Sequence, residues 1–179
     1  TRRALVERIQ TARKAKESSV PSHPPASFTL PPLPKGTAVP DMPPHLSVLC
    51  RKTEQIPAAL DAGANAVYLD FEDLRDYAEG IKTVREHGKS IPVFLATPRI
   101  QKPSEVGYCK LMERAEPDGI LIRNLGAAQY FRQSPLHRIG DFSLNVANPY
   151  SAAILKKRGN LAHLTISYDL LSLIHISEP

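Results

Sequence analysis

AVYLDF, at residues 66–71, is one of six short apolar runs that recur along this chain. The other five are LSVL (46–49), IPVFLA (91–96), GILIR (119–123), DFSLNV (141–146) and HLTISY (163–168). Their first residues lie about 20 to 28 positions apart, which leaves room for a helix between each pair. Such runs are typical of strands that are buried on both faces of a parallel sheet.

The segments between these runs carry helix start and stop signals. Asp73 can cap one helix, and Asn148 followed by Pro149 can begin another. The second of these helices ends in the cations 156–158 and then Gly159, which suits the negative end of the helix dipole. Strands and helices are therefore expected to alternate.

This alternation predicts an α/β fold, and specifically an incomplete TIM-like (β/α) barrel. The regular spacing and the lack of a GxGxxG motif favour a barrel over a dinucleotide-binding sheet. A complete barrel needs eight units and about 250 residues. The sequence from 46 to 170 predicts about six parallel strands and five helices, so we expect a partial barrel.

Two segments precede the predicted barrel. Residues 1–19 have the composition of a basic helix, which we interpret as an exposed helix, with RNA contact as the alternative. Residues 20–45 hold nine of the chain's 17 prolines, so they are predicted to be an extended linker.

The last nine residues, LSLIHISEP (171–179), do not resemble the helix that should follow the sixth strand. They match the translation of a sequencing-library adaptor. We therefore interpret 171–179 as a non-native tail, so that the gene-derived sequence would end near Leu170 and His175 would have no functional role.

Composition narrows the range of functions. The net charge is +5, but the first 20 residues hold six basic and two acidic side chains, so the predicted barrel is almost neutral. Its charge therefore does not indicate nucleic-acid binding. Two cysteines form no disulfide framework, and no run approaches a membrane span or a signal sequence. We expect a cytoplasmic protein with no membrane partner.

Candidate site residues lie where the predicted strands end, because the active sites of (β/α) barrels lie at the carboxyl edge of the sheet. Polar or charged residues occur at or near the end of every predicted strand. The substrate-binding candidates are Asp70, Glu72, Arg99, Arg123, Asn145 and Asp169. A ring of mixed charge suits a polar or anionic substrate.

Each candidate also has a structural alternative. Arg99 and Arg123 could each hold a carboxylate or phosphate through two hydrogen bonds, or they could belong to a ring of salt bridges. The carboxylates of Asp70 and Glu72 could do acid–base chemistry or pair with arginines. Asn145 lies inside a predicted strand, so it is difficult to explain as a helix cap.

Catalytic residues are not evident in the sequence. It contains no GxSxG, HExxH, Walker or CxxC motif, so no nucleophile is assigned and no metal site is predicted in this chain. Cys50 follows the first strand beside Arg51, where its thiolate could be activated, but a buried inert thiol is the simpler interpretation. Cys109 is expected in the core.

The strand-end blocks LSVLCR (46–51), YLDFEDLRDY (68–77), FLATPRIQKP (94–103), PDGILIRNLGA (117–127), GDFSLNVANP (140–149) and LTISYDL (164–170) resemble the collagenase-like U-32 peptidase family. The similarity is to the second half of its long bacterial members. It implies a (β/α) barrel that the rest of the same polypeptide closes, and it implies hydrolysis of peptide or collagen-like substrates.

The same resemblance implies two alternatives. Some relatives are iron–sulfur proteins that hydroxylate RNA bases or quinone precursors, and their cluster cysteines follow the block that matches SYDL (167–170). An iron–sulfur cluster is therefore expected only in a longer protein, and the substrate could be a peptide or RNA. The third reading is a truncated, inactive product.

Overall fold

A computed structural model describes residues 2–18, 32, 43–87 and 90–169. The chain divides into two compact units, residues 1–32 and 33–179. The first contains a single described helix, α1 (Arg2–Ser18), whose apolar side chains Leu5, Val6 and Ile9 are exposed. Most of the linker predicted at 20–45, and the tail predicted at 171–179, lie outside the described residues.

Six parallel strands form one sheet in sequence order in the second unit. They are β1 (Ser47–Cys50), β2 (Ala66–Leu69), β3 (Val93–Ala96), β4 (Gly119–Ile122), β5 (His137–Gly140) and β6 (His163–Leu164). Five helices connect them, namely α2 (Gln55–Asp61), α3 (Tyr77–Glu86), α4 (Gly107–Arg114), α5 (Leu125–Tyr130) and α6 (Pro149–Gly159). The predicted incomplete (β/α) barrel, with six parallel strands and five connecting helices, is confirmed.

The outer face of the sheet packs against the helices. Alternate strand residues, including Val67, Leu69, Val93, Leu95, Ile120 and Ile122, are fully buried there. The helices contribute Ile56, Leu60, Tyr77, Val84 and Met112 to the same core. Each such side chain stabilises the fold by about 1.5–3 kcal/mol relative to leaving it in water, so this layer holds the unit together.

The inner face of the sheet is concave. Tyr68 and Phe94 stack there with ring centres 4.8 Å apart. A cavity of about 490 Å³ on this face is bounded both by Ser47 of β1 and by His163 of β6. The two edge strands therefore face each other across the concave side, as the curvature of a barrel requires.

The fifth strand lies earlier in the chain than predicted. DFSLNV (141–146) was expected to form it, but residues Phe142–Leu144 form a 3₁₀ turn and the strand is His137–Gly140. This strand, HRIG, has Ile139 as its single large aliphatic residue. Its Arg138 donates hydrogen bonds to the carbonyls of Leu136 and Asn160 at 2.8 and 2.9 Å. Periodicity of apolar residues could not reveal a strand of that composition.

Asn145 consequently has a different place. It ends the 3₁₀ turn in the left-handed conformation, with φ 53°, and its side chain is exposed. Asparagine adopts this conformation more readily than most residues, so a turn explains its presence. The predicted position of Asn145 inside a strand is wrong.

Among the described residues, no helix has the length and apolar character needed to cross a membrane.

Candidate functional site

An ionic cluster occupies the carboxyl edge of the concave face. Asp70 and Asp141 are each the first residue after their strands, and their backbone N–H groups still donate to the neighbouring strands, to Cys50 and Ile122 at 2.9 Å. Because side chains alternate along a strand, Asp70, Arg123 and Asp141 belong to the concave face, like Tyr68, Leu121 and Ile139. The loops after β2, β4 and β5 thus bring the three charges together.

Arg123 is the centre of this cluster. Its Nη1 and Nη2 donate to the two carboxylate oxygens of Asp70 at 2.6 and 3.0 Å, and its Nε donates to Asp141 at 3.2 Å. The side chain of Arg123 is only 6% exposed and that of Asp70 is 19% exposed. Two carboxylates around one guanidinium satisfy its fork on both edges.

The electrostatics of the cluster follow from this pairing. Burial by itself lowers the pKa of the Arg123 guanidinium, but the hydrogen bond with Asp70 and the charges of Asp70 and Asp141 outweigh it, and the pKa is raised above its ordinary value. Burial, with a further contribution from the Asp70 carboxylate, raises the pKa of Tyr77. Arg123 therefore stays cationic and Tyr77 stays neutral.

Neighbouring hydroxyl groups hold the cluster in position. Thr97 Oγ1 accepts the backbone N–H of Arg123 at 2.9 Å. Ser143 Oγ lies 3.0 Å from both the Arg123 carbonyl and the Asp141 carboxylate. Tyr77 donates its hydroxyl to the carbonyl of Ala96 at 2.7 Å. With these contacts, no buried side-chain nitrogen or oxygen of the described residues lacks a hydrogen-bond partner.

An open cleft of about 660 Å³ lies over the cluster. Its charged lining residues are Arg51, Lys52, Asp70, Glu72, Arg99 and Arg123. Arg51 Nε approaches Asp70 to 4.0 Å, and Glu72 and Arg99 are exposed at the rim. The four cations outnumber the two carboxylates, so the cleft favours an anionic ligand.

Arg99 and Arg123 differ in what they bind. Within the described part of the chain, Arg99 has no ion pair; its guanidinium carbon lies 4.8 Å from the ring centre of Phe142. This cation–π contact engages the face of the guanidinium and leaves its edge N–H groups available. Arg99 therefore has the open fork that Arg123 lacks.

The structure brings together four of the six predicted site residues. Asp70, Glu72, Arg99 and Arg123 line the cleft. Asn145 and Asp169 do not line it: Asn145 is in the exposed turn after β5, and Asp169 is exposed in the last described turn, after Tyr168. Of the four, Arg123 has the salt-bridge role that was its structural alternative.

The other asparagines near the strand ends cap helices. Asn124 accepts the N–H of Ala127 at 2.8 Å and Asn148 accepts that of Ser151 at 2.9 Å. Asp73 likewise accepts the N–H of Arg75 at the start of the 3₁₀ turn Leu74–Asp76. The start of a helix or turn therefore explains each of these side chains.

The two cysteines do not suit a cluster or a nucleophile. Cys50 and Cys109 are buried in the core between sheet and helices, and burial raises the pKa of both thiols, to about 11 for Cys109. Two separated, neutral thiols do not fit an iron–sulfur cluster, which is usually held by four thiolates. The described residues also contain no group of three or more His, Cys, Asp or Glu side chains placed to hold a metal ion.

Sequence reasoning missed Asp141 and Phe142. Both were assigned to the start of a strand, which would place them at the opposite edge of the sheet. The sequence does carry a usable signal, which is a charged residue directly after an apolar strand, as Asp70 and Arg123 are. That signal identifies Asp141 only when β5 is placed at His137–Gly140.

Comparisons with known proteins add little. No family model matches the chain. No curated protein matches it either. A crystal structure described as an unknown member of the enolase superfamily, from Enterococcus faecalis V583, is similar to 67% of this chain, with 11% identity and a TM-score of 0.48. The aligned part is 34% of that protein, so the chain spans about a third of its length.

Proposed function

We propose that this barrel is the substrate-binding part of a cytoplasmic peptidase of the U-32 type, and that its cleft binds a peptide by a carboxylate. The observation that carries the proposal is the contrast between two arginines in one cleft. Arg123 binds Asp70 and Asp141 through three hydrogen bonds, whereas the edge N–H groups of Arg99 have no partner among the described residues.

A carboxylate is the ligand that this arrangement favours. A guanidinium fork matches a carboxylate through two parallel hydrogen bonds. Arg51 and Lys52 add positive charge on the other side of the cleft. A peptide offers such a group at its C-terminus or on an acidic side chain.

The proposal assigns binding and leaves the bond-breaking group unassigned. Within the described residues, the Ser–His contact is between Ser47 Oγ and His45 Nδ1, at 3.3 Å, and it lies at the amino end of the sheet, away from the cleft. The peptidase activity is supported by the resemblance of the strand-end blocks, which include Asp70, Arg99 and Arg123.

The barrel requires further strands, which we propose the rest of the same polypeptide supplies. Among the described strands, β1 pairs only with β2 and β6 only with β5. A barrel has no edges only when every strand has two neighbours, whereas β1 and β6 each have one among the described strands.

Binding of short peptides to the whole chain tests the proposal. We expect a peptide with a free C-terminal carboxylate to bind more tightly than its amide, by about tenfold, since a charge-assisted hydrogen bond contributes about 1.5–3 kcal/mol. Arg99→Ala should remove this preference, and Arg99→Lys should retain part of it.

Arg114→Ala is the matched control, because it removes one exposed arginine from the last turn of α4, outside the cleft. An equal loss in Arg99→Ala and Arg114→Ala would show only a general charge effect. Binding of RNA oligonucleotides, with no response to any peptide, would overturn the proposal in favour of the iron–sulfur hydroxylase alternative.

A further inference from the structure

Three loops at the carboxyl edge of the sheet form an aromatic shelf, which we define as Arg99, Phe142 and Tyr168. Phe142 and Tyr168 stack with ring centres 4.1 Å apart and an interplanar angle of 24°. Arg99 lies over the Phe142 ring. The three residues follow β3, β5 and β6, so segments that are distant in sequence converge on one place.

Tyr168 is unusually open for a stacked aromatic residue. It is 60% exposed, whereas Phe142 is half-buried. Among the described residues, the hydroxyl of Tyr168 has no hydrogen-bond partner, and its ring contacts a single other ring, that of Phe142. A planar apolar surface is therefore exposed beside Arg99, whose edge N–H groups have no partner in the part of the chain that the structure describes.

We infer that this shelf is a specificity subsite for an aromatic side chain that adjoins a free carboxylate, as in a peptide that ends in Phe or Tyr. The inference rests on the proposed function, because the carboxylate is the group that Arg99 would bind there. It adds the identity of the neighbouring side chain, which Tyr168 selects.

The chemistry of the shelf matches such a residue. Aromatic rings prefer offset-stacked or edge-to-face partners at 4.5–7 Å, and the open part of the Tyr168 ring offers such a place. Arg99 and Tyr168 both contact Phe142, so one amino-acid residue can reach both. Phe142 meanwhile orients both of them, which reduces the entropy lost when the ligand binds.

A peptide with an aliphatic C-terminal residue would gain less binding free energy from the shelf. It would cover part of the ring and exclude water, but it would lack the stacking contribution of a second ring. Among peptides that differ only in their last residue, affinity should therefore fall from Phe to Leu and from Leu to Ala.

The experiment measures binding of the tetrapeptides Gly-Gly-Gly-Phe, Gly-Gly-Gly-Leu and Gly-Gly-Gly-Ala to the whole chain by ligand-observed NMR. We expect the Phe peptide to bind about fivefold more tightly than the Leu peptide, the ratio that a typical aromatic pair provides. Tyr168→Leu should abolish this ratio, because it removes the ring on which the Phe side chain would stack. Tyr168→Phe should preserve the ratio, because it keeps the ring.

The outcomes separate this inference from the proposed function. If Arg99→Ala weakens binding of all three peptides but Tyr168→Leu leaves the Phe-to-Leu ratio intact, the shelf is refuted and the carboxylate site stands. If Arg99→Ala changes none of the affinities, the proposed function itself fails. Binding of adenosine monophosphate that depends on Tyr168, without any peptide preference, would assign the shelf to a nucleobase and overturn the inference.

Discussion

The outer and concave faces of the sheet consist of alternate residues of the same strands, yet their environments differ. On β1, Cys50 points to the helices and is 1% exposed, whereas its neighbour Leu49 points to the concave side and is 41% exposed. At the end of β4, Ile122 is fully buried among apolar side chains. The next residue, Arg123, is also buried, but it forms ion pairs with Asp70 and Asp141.

The difference teaches that stability and function are divided between the two faces. The outer face holds the apolar core, in which each side chain contacts others of its kind. The concave face changes from apolar residues near its middle to ions at its carboxyl edge, where the cleft opens. The loss of unfolding free energy caused by a substitution should therefore depend more on the face of the sheet than on the strand.

The largest expected effect is at the ionic cluster. Arg123→Met would remove the cation that binds both Asp70 and Asp141 and leave Asp70 only the exposed Arg51, at 4.0 Å, at a cost of about 4 kcal/mol in the free energy of unfolding. Chemical denaturation monitored by circular dichroism measures it. Arg99→Met, at an exposed position, is the control and should change stability by less than about 1 kcal/mol, the most that its cation–π contact with Phe142 contributes.

The triple variant Asp70→Asn/Arg123→Met/Asp141→Asn should recover most of the lost stability, because the unpaired charges are gone. A cost for Arg123→Met no larger than for Arg99→Met would contradict the division between the faces, since the concave edge would then contribute little to folding.

The second effect compares the two faces directly. Ile122→Ala should lower the free energy of unfolding by about 3 kcal/mol, because it removes buried methyl groups and leaves a cavity. Leu49→Ala should cost less than about 1 kcal/mol, because the side chain is already partly in water. Similar costs for both would show that the concave face is covered in solution by another segment or molecule.

A smaller effect is expected in the helix layer. Asn148 forms a capping box with Ser151 at the start of α6, a helix that packs against β6. Asn148→Ala should destabilise the chain by about 1 kcal/mol, and Asn148→Ser should keep most of the cap. If Asn148→Ala were as stable as the unaltered chain, α6 would not depend on its cap.

The smallest effect is at an ion pair outside both faces. Asp73, whose side chain is 40% exposed, binds Arg75, and this side-chain hydrogen bond, with that from the Arg75 N–H, lowers the pKa of Asp73 to about 2. A carboxyl group whose pKa falls on folding stabilises the fold above its ordinary pKa of 3.8, and this contribution is lost as the pH falls toward 2.

A titration of the Asp73 carboxyl carbon by NMR measures this shift. Arg75→Ala should move the midpoint back toward 3.8, although the backbone hydrogen bond remains. A midpoint near 3.8 in the unaltered chain would show that the exposed pair does not form in solution, in contrast with the buried Arg123 pair.

The amino-acid sequence was sufficient for the architecture. Repeated apolar runs, with caps such as Asn148 between them, established parallel strands, helices and their order, because burial on two faces and helix termination are local requirements. The same reasoning placed Asp70, Glu72, Arg99 and Arg123 at one edge of the sheet, since the topology of parallel strands leaves no other place for them.

Only the tertiary structure decided what these residues bind. Whether Arg123 holds a ligand or a neighbour depends on Asp141, which is 18 residues away and reaches it only because β5 is His137–Gly140. The pairing of Arg99 with Phe142, and of Phe142 with Tyr168, likewise depends on the angles at which three loops leave the sheet. Such contacts join residues that share no local pattern, so their partners are determined by the curvature of the sheet.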